Sequence, residues 1–135
     1  MLLFVYGSLM RGYWNNCFLD NAKYKGVYYT VKKYTLTLEG KIPYLSRSVR
    51  RYHVRGELYD VPEKDIPDID GHEGAPAWYY RIKLRVQGGS GDVQVAYAYF
   101  NDCEDGVICD EGDFSKYVQG DAKPFPDSTK VSFSV

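Results

Sequence analysis

Residues 1–13, MLLFVYGSLMRGY, drive a mostly apolar run straight into a Gly-Ser turn, with an arginine and a second glycine close behind. An apolar run of this length bounded by a turn signal reads as a buried strand. The start lacks a basic n-region and a long apolar h-region, so it is expected to belong to the mature fold as its N-terminal strand. Gly7 permits positive φ and close backbone approach. If the amides after the strand turn inward together, they form a nest able to hold a carboxylate or oxyanion. Arg11 would add charge at the rim. Gly-Ser turns are common, and alone this one implies no more than the end of a strand.

Outward from that strand, further strand-like stretches recur at 25–29, 34–38, 54–60, 79–87 and 93–100. RIKLRV and VQVAYAYF alternate apolar with polar residues, the period of a sheet buried on one face. QGGSGD between the last two reads as a flexible hairpin loop. Helical signals are few. Residues 11–21 fit a short helix or an irregular crossover. In 61–72, Pro62 with Glu63 behind it marks a helix start and Gly74 a stop, although Pro67 within the span fits two short turns equally well. A further short helix is expected at 111–119. The fold class is therefore α+β, mostly β: a small mixed β-barrel with a few short helices. One domain is expected over 1–135, with a core of about 1–100 and a tail, 101–135, packing on or near the barrel.

Composition narrows the function. Seventeen basic residues balance 18 acidic ones for a net charge of −1, which leaves no electrostatic footprint for nucleic acid or an anionic membrane. No apolar run is long enough to span a bilayer. Three cysteines, Cys17, Cys103 and Cys109, lack the even count of a disulfide framework and suit a reducing cytoplasm. Cys103 and Cys109 have no histidine nearby, so no metal site is expected. Fourteen tyrosines against 6 phenylalanines suit a β-rich domain with a polar-lined pocket.

A second stretch, IDGHEGAPAWYYR at 69–81, supplies candidate chemistry. Glu73 sits on a turn followed by Gly74 and the aromatic run Trp78, Tyr79, Tyr80. A carboxylate so placed is where desolvation would raise the pKa, letting one group accept and return a proton. A solvated loop glutamate is the plainer alternative. Ser8 lacks a G-x-S-x-G context, and neither His53 nor His72 sits where a triad base is expected.

Together, VYGSLMRG and IDGHEGAPAWYYRIKLRV resemble the gamma-glutamylcyclotransferase-like superfamily, nearest its AIG2-like, gamma-glutamylamine cyclotransferase branch. Tyr6, Gly7, Ser8, Leu9 and Gly12 match a Y-G-[ST]-L-x-x-G turn; Asp70, Glu73, Gly74, Pro76, Tyr79 and Arg81 match D-x-x-E-G-x-P-x-x-Y-x-R. GKIPYL and VRGELYDV resemble the family's middle strands, and AYAYF its late one. The resemblance implies that Tyr6, Gly7, Ser8 and Leu9, with Arg11 and Tyr79, bind a small-molecule gamma-glutamyl substrate. It implies that Glu73 is general base and acid, with 5-oxoproline and a free amine as products and no cofactor. YWNNCFLD and the tyrosine-rich YYTVKKYTLTLEG are bulkier than an open rim requires, and border the leaving-group side. A non-catalytic module sequestering a small carboxylate-bearing metabolite is the alternative. A related enzyme removing a gamma-glutamyl protecting group would differ only in the amine. The assembly expected is a cytoplasmic monomer or homodimer.

Overall fold

The computed structural model describes residues 1–75, 77–103 and 105–120; Pro76 of the second motif and the proline-containing end of the tail lie outside them. Five strands close a barrel. β1 (Leu2–Val5) lies antiparallel to β5 (Arg55–Asp60), β5 to β2 (Lys23–Thr30), β2 to β6 (Tyr80–Gly88) and β6 to β7 (Val93–Phe100). A parallel pairing of β1 with β7, Leu3 opposite Tyr97, completes the circuit and makes the barrel mixed. Beside it stands a three-stranded sheet in the order β4 (Ile42–Ser46), β3 (Thr35–Glu39), β8 (Val107–Ile108).

Strand chemistry explains the placement. β1 is flanked by two partners, and every residue from Leu3 to Met10 is buried. Its run is therefore continuously apolar instead of alternating. β6 has a wet face, so Leu84 and Val86 point inward while Lys83, Arg85 and Gln87 point out. The QGGSGD loop closes the β6–β7 hairpin, with Gly88 N–H on Asp92 O and Gly91 N–H on Gly88 O, both at 3.0 Å. Where β1 crosses β5, Gly56 leaves no room: a Cβ there would stand 2.4 Å from Val5 O and 2.5 Å from Phe4 Cζ.

Several expectations need correction. The strand expected from Tyr79 starts at Tyr80. Residues 11–21 hold only a 3₁₀ turn, Asn16–Leu19. The 61–72 region is a 3₁₀ turn, Glu63–Asp65, running directly into an α-helix, α1 (Ile66–Glu73). Pro67 does not break it, because it occupies the first turn, where its missing N–H has no helical partner to lose. Gly74 does stop it, with φ of 66°. The helix expected at 111–119 shrinks to a 3₁₀ turn, Phe114–Lys116, capped by Asp113. Tail residues tie back to the remainder: Tyr13 OH donates to Val118 O at 2.7 Å, and Phe114 is buried. Among the described residues, no helix is long and apolar enough to cross a membrane.

Gly56→Ala is expected to lower stability by about 1–3 kcal/mol, as overpacking does, because both atoms that the methyl meets are held by the barrel. The shift in urea midpoint measures it.

Candidate active site

The end of β1 delivers Tyr6 into the interior, fully buried, where its hydroxyl donates to Tyr99 O at 2.6 Å. The chain then folds on itself over 7–16. Met10 N–H returns to Gly7 O (3.0 Å), Asn15 N–H to Ser8 O (3.1 Å), and the Asn15 amide donates to Ser8 Oγ (2.9 Å). Asn16 Nδ2 holds Leu9 O at 2.8 Å. The positive φ of this loop falls on Gly12, at 84°, and not on Gly7. Glu57, a buried carboxylate on β5, clamps the loop from outside by accepting from Arg11 N–H (2.8 Å) and Tyr59 OH (2.9 Å).

α1 brings Glu73. With Ile66 and Ile69 it forms the inward stripe of the helix, and it is 1% exposed at the last helical residue. Asp70, one turn earlier, receives Arg81 of β6 in a two-pronged pair, Nε to Oδ1 at 2.9 Å and Nη2 to Oδ2 at 3.0 Å. Tyr99 OH donates to the same carboxylate at 2.5 Å. Burial works against the Asp70 charge, but Arg81 and Tyr99 outweigh it and hold the carboxyl below its ordinary value. The motif's aspartate and arginine thus bolt the helix to the barrel, and the helix aims the glutamate.

Tyrosine chemistry reveals where the two motifs meet. Burial drives the Tyr6 phenol well above its ordinary pKa, and Tyr79 and the Glu73 carboxylate push it further. Tyr99 is raised too, by burial first, then by Asp70 and by Glu73. Tyr79 is buried, donates to Pro43 O of β4 at 2.5 Å and stacks on Tyr44. Tyr44 meets Trp78 edge-on. Tyr6, Tyr79 and Glu73 therefore share one electrostatic environment, with Gly7, Ser8 and Leu9 following directly from it.

Other candidates lie elsewhere. Arg11 extends its guanidinium over the Tyr24 ring, 4.3 Å from the centroid. His53 Nδ1 pairs with Thr30 O at 2.9 Å. His72 stands beside the site: Nε2 is 3.9 Å from Glu73 Oε1, and the ring stacks on Phe18. Its outer side borders a surface hollow of about 550 Å³. Tyr99 and the β4 carbonyl of Pro43 escaped the sequence analysis. The alternation in AYAYF signals that every second residue faces inward; nothing in it tells that Tyr99 would reach Asp70.

Asp70→Asn is expected to cost about 1–3 kcal/mol at neutral pH, the range for a charge-assisted hydrogen bond. A carboxyl held below its unfolded value stabilises above that value and loses the contribution as pH falls through its folded one. The gap between wild type and variant should therefore narrow below about pH 4, read from thermal unfolding across pH.

A family model described as "Gamma-glutamyl cyclotransferase, AIG2-like" matches residues 3–116. Among curated proteins, the chain is 37% identical over 116 residues to one from Methanocaldococcus jannaschii provisionally named a gamma-glutamylcyclotransferase, covering 85% of this chain and 96% of that one. It is 35% identical over 112 residues to the gamma-glutamylaminecyclotransferase of Rattus norvegicus, covering 72% and 75%. Among solved structures, an AIG2-like protein from Mus musculus superposes with a TM-score of 0.67 at 32% identity, over 74% of this chain and 76% of that one. With both motifs at one barrel end and the family model spanning barrel and side sheet alike, the chain belongs to the AIG2-like gamma-glutamyl cyclotransferase family.

Proposed function

We propose that this protein is an enzyme of the gamma-glutamylcyclotransferase kind, acting on a gamma-glutamyl amine, with Glu73 as its proton carrier. The observation that carries the proposal is the joint at Tyr99, whose carbonyl accepts from Tyr6 OH at the strand end and whose hydroxyl donates to Asp70, one turn before Glu73 on the helix. The amides of Met10, Arg11, Tyr13 and Asn15, engaged within the loop or by Glu57, fix the shape of the loop around the main-chain cradle proposed at residues 7–9. That cradle would hold the substrate's α-carboxylate and keep the chain curled.

A gamma-glutamyl amide carries its own nucleophile, so no serine or cysteine attack is needed. Glu73 takes a proton from the α-ammonium, and the freed amine attacks the gamma-carbonyl carbon. The new C–N bond closes a five-membered ring, and the carbonyl oxygen becomes an oxyanion that needs hydrogen-bond donors. Protonated Glu73 then gives its proton to the amide nitrogen, and the oxyanion re-forms the carbonyl as the old C–N bond breaks. Glu73 takes the second proton from the ring nitrogen and passes it to the departing amine, which leaves as an ammonium beside 5-oxoproline. Both protons that the leaving ammonium gains come from the substrate's own α-nitrogen. Intramolecular attack in a fixed geometry contributes roughly 7–11 kcal/mol. The phenols of Tyr6 and Tyr99, both raised, stay neutral at working pH and put no competing negative charge beside the carboxylates.

Three free cysteines fit a cytoplasmic, single-domain enzyme. The test is a panel of gamma-glutamyl amines and dipeptides assayed for released 5-oxoproline. Glu73→Gln should reduce kcat by about 10²–10⁴-fold, the range of a lost general acid–base group, while circular dichroism stays unchanged. A panel without a substrate would favour a sequestering module, and full turnover by Glu73→Gln would exclude the proton role. Gly7→Val should raise KM more than it lowers kcat, since it crowds the cradle and leaves the carboxylate in place.

A further inference from the structure

The chain is nearly neutral overall, yet its cations are unevenly placed. Lys32 lies between β2 and β3, and Arg47 and Arg50 between β4 and β5; Lys83 and Arg85 line the outer face of β6. Folding gathers them. Lys32, Tyr34, Arg47, Ser48, Arg50 and Asp102 line a hollow of about 450 Å³. Lys32 and Tyr34 also belong to a second hollow of about 200 Å³, whose wall includes Lys83 and Arg85. Five cations thus face one carboxylate.

That carboxylate is already engaged. Asp102 accepts from Tyr80 OH at 2.6 Å and from Arg47 N–H at 3.2 Å. Among the described residues, none of the five cations stands within ion-pair distance of an Asp or Glu. Part of the cluster is also held against aromatic rings. Arg47 lies over the rings of Tyr80 (5.2 Å) and Phe100 (6.0 Å), and Tyr34 packs on Phe100 from the other side of the hollow. Burial raises the Tyr34 phenol, and Arg50 and Arg47 oppose it, so both guanidiniums act on one hydroxyl.

We propose that this basic cleft binds a small anion bearing two or more phosphoryl groups. Guanidinium forks match phosphate oxygens in geometry, and an ammonium serves as a point charge between them. The Ser48 and Tyr34 hydroxyls add neutral donors. Two neighbouring hollows that share Lys32 and Tyr34 as lining residues spread the charge over more than one position, which suits adjacent phosphoryl groups better than a single one. The volume is that of a small-molecule site. No lining residue belongs to the Tyr6, Tyr79 and Glu73 cluster, and the proposal does not rest on the cyclisation chemistry.

The experiment is calorimetric titration of the full chain with inorganic triphosphate at low salt. One saturable site per chain is expected, weakening as salt rises. Arg50→Glu and Lys32→Glu, both on exposed side chains, should each weaken it by about tenfold or more, the equivalent of one lost charge-assisted contact. Neither should alter 5-oxoproline release, and circular dichroism confirms their fold. Retained affinity in both variants would overturn the proposal, as would no saturable heat at millimolar triphosphate. Orthophosphate binding as tightly as triphosphate would overturn the multi-phosphoryl requirement. An RNA oligomer binding more tightly than triphosphate would overturn the small-anion class. A nucleoside triphosphate, or vesicles bearing a phosphoinositide, distinguishes a soluble source from a lipid one by which of them displaces triphosphate.

Discussion

The bidentate pair between Asp70 and Arg81 is the constraint on which the site depends. α1 is only two turns long, too short to hold its shape without tertiary support. Arg81 comes from β6, and Tyr99 of β7 donates to the same carboxylate, so two neighbouring strands grip one side chain of the helix. Glu73 lies three residues further on, on a neighbouring part of the same face. Its position is inherited from a joint at Asp70. The Tyr6 hydroxyl rests on the carbonyl of that same Tyr99, so the strand end and the helix end share a single residue as their common reference.

This arrangement explains the high tyrosine content. A phenol is flat enough to pack in a small barrel and carries one donor to satisfy a carbonyl or carboxylate. Tyr6, Tyr79 and Tyr99 each use it once, on Tyr99 O, Pro43 O and Asp70 respectively. Phenylalanine would pack as well and leave those oxygens without the donor.

Much of the fold was visible in the sequence, because periodicity reports burial. β6 and β7 alternate and were found almost to the residue, and β1 announced itself by unbroken apolarity between two partners. β4 was harder: Pro43 weakens a strand pattern, and only likeness to the family's middle strands marked the stretch. The 3₁₀ turns were misjudged because three or four residues carry too little pattern to set their length. Of the site, the residues within the two motifs could be named. The resemblance implied that they act on one substrate, but it did not name what ties them together, Tyr99 and β4 backbone lying far away in the chain. Arg11 shows how a partner can be hidden from the sequence: the charge beside the loop lies over the ring of Tyr24, a residue of β2.

The closing of the barrel through β1 and β7 has a consequence for biosynthesis. Tyr6 and the residue whose carbonyl it holds are 93 positions apart, and such long-range pairings are the slow part of β-barrel folding. During synthesis the apolar first strand emerges well before the seventh, its parallel neighbour in the barrel. Until then the loop at 7–16 has no floor, and an oily segment must be kept from aggregating. Anchoring of the Tyr6 end of the loop and completion of the barrel are accordingly one event.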